Sequence, residues 1–310
     1  MTQIKSASVK SVRLKLDQVY ENAPVVPFDS HSKIIIMSDC HRGQGNAGDN
    51  FMANQAVCFG ALEYYFQNDF TYVELGDGDE LWENRQLKVI AEVHSDIFWM
   101  LSKFYERNRL YMIYGNHDIV KRRKGYMNQH CNCYYCESSH KELSLLPDIN
   151  VLEGLILRRK GGTEEMLLAH GHQGDFLNDT LWPLARFLVR YFWRRMELIG
   201  FLDPTGSGRP RKAKERVEKR LVAYTKARNR ILIAGHTHRP VFSQPEEGLY
   251  FNTGSCVHPR CITCIEIEHN EISLIKWSVR AREDRILKVE REVLEGPVPL
   301  ASYGISERIN

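Results

Sequence analysis

Five short polar clusters stand at the ends of apolar runs, and all are built from residue types that bind divalent metal ions. "KIIIMSDCH" ends in Asp39 and His41, "TYVELGDGDE" carries Asp77, and "RLYMIYGNHD" closes on Asn116, His117 and Asp118. "MLLAHGHQGD" brings His170 and His172, and "ILIAGHTHRP" brings His236 and His238. Carboxylate, imidazole and amide oxygen together suit borderline divalent ions such as Mn²⁺, Fe or Zn²⁺. The ligand candidates Asp39, His41, Asp77, Asn116, His170, His236 and His238 exceed what one tetrahedral ion takes, so two ions sharing a bridging carboxylate is the economical reading. Any one cluster alone has a plainer explanation as an acidic or Asx turn. Their succession, each behind an apolar run, argues against coincidence.

The runs at 33–37, 71–75, 109–114 and 231–234 read as buried-type strands, with helical stretches over about 51–67 and 85–107 between them. Strands alternating with helices predict an α/β fold with a largely parallel sheet, and in such sheets ligands bind beyond the carboxyl ends of the strands. "VLEGLILRRKGGTEEMLLAH" (151–170) reads as a hairpin around a Lys-Gly-Gly turn. "GLYFNTGS", "CITCIEIE" and "EISLIKWSV" read as consecutive antiparallel strands. In "GHTH", alternation along an extended chain would point both imidazoles the same way.

The first thirty residues are polar, carry Pro24 and Pro27, and read as an arm (1–30) before a domain over 31–290, with 291–310 as a tail. Two stretches interrupt the domain, a cysteine-rich insertion at 121–148 and a helical cap insertion at 176–228. In the cap, Arg186, Arg190 and Arg194 fall at i, i+4 and i+8 and form one stripe. They fit either a lid whose arginines meet a phosphate or a membrane surface, or an amphipathic cap with solvated arginines, the second being preferred.

At 310 residues the chain can bury a full core, and its formal net charge of +3 does not demand a nucleic-acid partner. Residues 204–230 hold ten Lys/Arg against two Glu, a helix read as a solvated face ahead of a nucleic-acid groove. The N-terminus has no apolar core followed by a small-residue cleavage site. The most apolar long stretch, 181–202, carries Arg186, Arg190, Arg194, Arg195 and Glu197, so no membrane-spanning helix and a cytoplasmic location are expected.

Eight cysteines then point to free thiols or metal ligands. Cys131, Cys133, Cys136 and His140 could hold a structural Zn²⁺, although their spacing is not a usual finger pattern. Cys256, His258, Cys261 and Cys264 form a second group that could share that ion. Free thiols in a loop and a strand are the plainer reading of both.

The series "DCH", "GDGDE", "GNHD", "HGH", "GHTH" resembles the calcineurin-like metallophosphoesterase superfamily over roughly residues 33–280. The "GDxxELWE" form, the helical insert and the "GHTHRP" ending are similar to its UDP-2,3-diacylglucosamine hydrolase branch, from whose pattern the "CNCYYC" insertion and the N-terminal arm depart. The resemblance implies a four-layer α/β/β/α metallophosphoesterase sandwich with a helical cap insertion. It implies one ion on Asp39, His41 and His238, a second on Asn116, His170 and His236, and Asp77 bridging them. His117 would face the substrate phosphate, with Asp118 orienting its ring.

A metal-bridging hydroxide would attack phosphorus in line while His117 stabilised the developing charge or protonated the leaving oxygen. Arg42 could neutralise a phosphate oxygen or be a surface side chain. Glu80 matches an acidic position of the family motif and suits a partner for a ligand histidine. His172 is expected beside the ligands or facing substrate rather than among them. The implied activity is hydrolysis of a phosphoester or pyrophosphate bond in a phosphorylated small-molecule or lipid-linked substrate. A nuclease of the same fold is the alternative, as is a non-catalytic scaffold, which the filled ligand positions disfavour.

Overall fold

The structure, a computed structural model, describes residues 2–131, 133–136, 141–162, 165–175, 211–281, 283 and 285–304. The chain runs through helix α1 (Thr2–Asn22), strands β1 (Val25–Phe28) and β2 (Ile34–Met37), helix α2 (Gln55–Gln67) and strand β3 (Thr71–Leu75). Helices α3 (Leu87–Val93) and α4 (Ser95–Glu106), strand β4 (Leu110–Ile113) and helix α5 (Tyr126–His130) follow. Next come β5 (Cys133–Cys136), β6 (Lys141–Ser144), β7 (Val151–Leu152), β8 (Gly154–Arg159) and β9 (Glu165–Ala169). Helix α6 (Arg211–Arg228) leads into β10 (Ile231–Ala234), β11 (Val241–Phe242), β12 (Tyr250–Asn252), β13 (Cys261–Glu268), β14 (Glu271–Ala281) and β15 (Leu287–Pro299).

The strands form a six-stranded sheet, β1-β8-β9-β10-β12-β11, and a seven-stranded sheet, β15-β14-β13-β2-β3-β4-β7, besides the hairpin β5-β6. Strand β2 shows why the two sheets pack face to face. Its four residues are all buried, and alternate ones serve different cores. Ile34 and Ile36 join Val73, Ile113, Leu168 and Ile233 between the sheets, while Ile35 and Met37 pack outward against Leu62 of α2 and Leu101 of α4. A strand buried on both faces must be a continuous apolar run, which is how it reads. On the outer face of the six-stranded sheet, Ile156, Leu167 and Leu232 receive Leu16 of α1 and Leu221 of α6. The layers are therefore helix, sheet, sheet, helix, as expected.

The hairpin expected at 151–170 is present, with Ile156 opposite Leu167 in antiparallel β8 and β9. Four other expectations need correction. The N-terminal arm is part of the fold: Val12, Leu16 and Val19 of α1 are buried, and β1 pairs in parallel with β8. The expected C-terminal tail supplies most of β15, which pairs along β14, and ends with buried Leu300 and Tyr303. The helix expected over 85–107 breaks at His94, whose ring is buried between Asp49 and Gln55. Strand β12 lies parallel to β10 in the six-stranded sheet and is no hairpin partner of β13, so the C-terminal strands divide between the sheets.

In α6, Val217, Leu221 and Tyr224 are buried while Arg211, Arg216 and Lys219 face solvent. Cap residues 176–210, with Arg186, Arg190 and Arg194, lie outside the described residues. Among the described residues, no helix is long and apolar enough to cross a membrane.

Candidate metal centre

Strands β2, β3 and β4 are parallel neighbours, as are β9 and β10, so the loops after them open at the same ends of the two sheets. Those loops deliver Asp39, His41, Asp77, Asn116, His117, His170, His236 and His238, and all eight are buried. The loops are interlocked by their backbones. The N–H groups of Asp39, His41 and Arg42 donate to the carbonyls of Gly76, Asp77 and Gly78 at 3.0, 2.9 and 3.0 Å.

Potential ligand atoms lie within 4.8 Å of one another in three overlapping groups: His41, Asp77 and His117 in one, and two outer groups, Asp39, His41 and His238, and Asp77, His170 and His236. Asp77 lies between them, its Oδ2 3.1 Å from His170 Nε2 and 3.8 Å from His41 Nε2. Its Oδ1 accepts the His117 backbone N–H at 2.7 Å, which fixes the carboxylate plane. Asp39 Oδ2 accepts the His236 N–H at 2.9 Å, and Oδ1 faces His238 Nε2 at 3.2 Å. The Nε2 atoms of His41 and His238 themselves stand 3.2 Å apart.

Several of these atoms could hold a cation. Both amide atoms of Asn116 are buried with no hydrogen-bond partner, and buried Asp39 Oδ1 and His170 Nε2 face other candidate ligands, His238 Nε2 and Asp77 Oδ2. Leaving a buried polar atom unpaired costs roughly 1–3 kcal/mol, so the Asn116 amide fits a ligand. His170 donates Nδ1–H to the Leu75 carbonyl at 2.9 Å, which fixes its orientation and leaves Nε2 as the atom that could coordinate. Burial drives His238 down to about 4, so near neutral pH its ring is neutral and one ring nitrogen keeps a lone pair for a ligand bond. Burial opposes charge on Asp39 and Asp77, yet the imidazoles beside them, His238 and His170 foremost, hold both carboxyls below the usual range.

The backbone is strained here. Asp39, His41, Asp77, His236 and His238 have φ of 53°, 48°, 51°, 68° and 55°, in the left-handed region that non-glycine residues seldom occupy. Such residues cost about 1–3 kcal/mol each and persist where their surroundings over-determine them. This corrects the expectation for "GHTH". Strand β10 ends at Ala234, so His236 and His238 do not alternate along an extended strand; left-handed turns send them to different groups. Close packing adds its own demand, because a Cβ on Gly115 would lie 2.1 Å from Asp77 Oδ1.

His117 stands at the edge of the centre, its ring stacked on Trp82 at 4.2 Å and edge-on to His41 at 4.7 Å. Its Nδ1 lies 2.8 Å from Glu80 Oε1 and 2.7 Å from Oε2, and Oε2 also takes His41 Nδ1 at 2.8 Å. Glu80 thus orients both a ligand histidine and His117. Burial works against its charge, but the His117 ring beside it brings Glu80 down to about 2. Burial likewise opposes protonation of His117, and the Glu80 and Asp77 carboxylates outweigh it and raise the pKa of the ring.

Two expected roles fail on geometry. Asp118 does not orient His117: its oxygens accept the N–H groups of Gly115 and Gly78 at 2.7 and 3.2 Å and the Lys121 ammonium at 2.8 Å. Arg42 neither faces a phosphate nor lies on the surface. It is buried, donating Nε–H to Asp79 at 2.7 Å and both terminal nitrogens to Glu74 at 2.8 and 2.9 Å. Glu74 and Lys121 went unread in the sequence, the first inside the apolar run "TYVEL", the second at the head of a basic insertion. His172 is buried beside His170, ring centroids 5.6 Å apart, but joins neither group. Asp175 is a further unread neighbour, with Oδ2 3.4 Å from His236 Nε2.

The second cysteine group is arranged differently from the one expected, and the first lies only partly within the described residues. Cys131 is buried and Cys133 exposed; the Cys136 side chain and His140 lie outside the described residues. Of the second group, Cys264 lies beside the Tyr65 hydroxyl, and His258 donates Nε2–H to the His238 carbonyl at 2.8 Å. Cys256 instead meets Cys40 and Cys58 in a buried thiol cluster behind the Asp39 loop.

The chain is similar in structure to the crystal structure of Chaetomium thermophilum Vps29, at 10% sequence identity and a TM-score of 0.39, over 86% of this chain and 97% of that chain. No curated protein matches the sequence. The family model for the calcineurin-like phosphoesterase superfamily domain matches residues 33–268, a span that holds every residue of the two ligand groups together with His117 and Glu80. The chain belongs to the calcineurin-like phosphoesterase superfamily.

Proposed function

We propose that this protein hydrolyses a phosphoester or pyrophosphate bond with two divalent ions. The observation that carries this reading is the pair of ligand groups, Asp39–His41–His238 and Asp77–His170–His236, with Asp77 facing both. Asn116, whose amide is buried and unpaired, completes the second group. Bound divalent ions supply Lewis acidity for the phosphoryl oxygens and acidify a water molecule at the site.

The chain's own residues do the rest. Asp77 is held by the His117 N–H so that its Oδ2 stays between the groups. His41 and His117 are both fixed through Nδ1 by Glu80, which leaves Nε2 of His41 for a metal and Nε2 of His117 for a proton. A His117 kept cationic can stabilise charge on the phosphoryl group and protonate the leaving oxygen. Stacking on Trp82 fixes the plane of that ring. The likeness of "GDGDELWE" and "GHTHRP" to the UDP-2,3-diacylglucosamine hydrolase branch makes pyrophosphates of lipid-linked or small-molecule substrates the first class to test.

The test is metal analysis joined to a panel of phosphate mono-, di- and pyrophosphate esters assayed with Mn²⁺. Two ions per chain and turnover of one class are expected. His117→Ala should lower kcat by roughly two to four powers of ten while both ions stay bound. Unchanged turnover in that variant would remove His117 from the mechanism, and no turnover by the native protein on any class would remove the activity.

A further inference from the structure

Beneath the ligand loops lie five charged side chains that the mechanism above does not use: Arg42, Glu74, Asp79, Asp118 and Lys121. All five are buried. Arg42 joins Glu74 at 2.8 and 2.9 Å and Asp79 at 2.7 Å. Lys121 Nζ joins Asp79 at 2.6 Å, Asp118 at 2.8 Å and, more distantly, Glu74 at 4.0 Å. Two cations and three carboxylates leave one formal negative charge under a site built for cations.

Stability alone does not account for such a set. Desolvating ions in a protein interior costs about what their attraction returns, and apolar replacements of similar volume are often neutral or better. What the set does have is connectivity. Arg42 follows the ligand His41; Glu74 and Asp79 flank Asp77 in sequence; Asp118 and Lys121 follow Asn116 and His117. Lys121 joins Asp79 of the loop after β3 to Asp118 of the loop after β4. Asp118 in turn holds the N–H groups of Gly115 and Gly78, one on each side of that divide.

We propose that this buried network is a positioning device that sets the separation of the three ligand loops, with Lys121 as the residue that ties the Asn116–His117 loop to the Asp77 loop. The inference rests on the two-ion phosphoesterase reading for its kinetic arm, but its metal-binding arm stands apart from turnover.

The test compares Lys121→Met, Lys121→Arg and the double variant Asp79→Asn/Lys121→Met. Thermal unfolding, Mn²⁺ titration and kinetics on bis(p-nitrophenyl) phosphate are read for each. The double variant loses one cation and one carboxylate, so it keeps the network's formal charge while removing the tie. Lys121→Met should weaken Mn²⁺ binding and lower kcat, each by about 10–100-fold, with KM little changed, and Lys121→Arg should recover part of both. The double variant should regain thermal stability yet stay defective in Mn²⁺ affinity and kcat.

Recovery of Mn²⁺ affinity together with stability in the double variant would overturn the proposal, since charge balance alone would then suffice. So would native Mn²⁺ affinity in a folded Lys121→Met protein. If Lys121→Met does not fold, the double variant decides. If the native protein turns over no substrate, the activity reading fails and the Mn²⁺ titrations still decide the positioning role.

Discussion

Glu80 carries two assignments at once, because its carboxylate takes the Nδ1 of two histidines, His41 at 2.8 Å and His117 at 2.7 and 2.8 Å. Removing its charge should therefore be felt twice. Burial pulls the His117 pKa down and the Glu80 and Asp77 carboxylates pull it up, with a net rise. A raised pKa keeps the proton on the ring to higher pH, so His117 stays loaded as an acid below that value, and turnover falls as pH climbs through it. In Glu80→Gln the negative charge is gone and the ring loses its proton earlier. The falling limb of the kcat–pH profile should move to lower pH, and kcat should drop by about tenfold or more; an unmoved limb would mean that His117 does not carry the titrating proton. At this scale the ligands were legible because metal chemistry restricts residue type, and each candidate stood where an apolar run stopped. The partners were not. Sequence adjacency suggested that Asp118 serves His117 and that Arg42 serves the substrate, but left-handed residues such as Asp39 and His41 turn successive side chains to different sides of the loop. Arg42 consequently points back under β3, to a Glu74 that looked like an ordinary strand residue.

Elements buried on both faces announce themselves, and elements at the margins do not. Strands β2, β3, β4 and β10 were readable as short apolar runs because each packs between a helix layer and the opposite sheet. Strand β1 has only the four residues Val25–Phe28, of which Phe28 alone is buried, and its partner β8 lies far along the chain. Nothing local marks such a pairing, so residues 1–30 looked like an appendage. Helix α1 has the same difficulty, since Val12, Leu16 and Val19 are a narrow apolar stripe in a polar segment. The stripe nonetheless closes one outer layer, with Arg228 of α6 donating to Asp17 at 2.8 Å across it. Leu16 is fully buried among Ile156, Leu167 and Leu221. Leu16→Ala should cost about 2–5 kcal/mol, seen as a lower midpoint in urea unfolding with an unchanged slope. A midpoint equal to that of the native protein would return α1 to the status of an arm.

For the molecule as a whole, the two sheets concentrate cost at one end. Five ligand candidates sit in left-handed backbone, and both amide atoms of buried Asn116 lack hydrogen-bond partners. The interior that surrounds them is apolar on both sides of each sheet, and that packing is what can hold such a site open. A cation held by these residues binds the folded state and not the unfolded chain, because its ligands come from five separate loops. Binding then adds stability by mass action, about 2.7 kcal/mol per site at a free ion concentration one hundred times the dissociation constant. Stripping the protein with chelator should lower its thermal midpoint by several degrees, and Mn²⁺ should restore it. Asp77→Asn keeps an oxygen to accept the His117 N–H but loses the charge between the two ligand groups. That variant should unfold near the temperature of the stripped native protein and gain much less from Mn²⁺. An equal gain in both proteins would show that the ion binds elsewhere, and no gain in the native protein would show that these residues are not a metal centre.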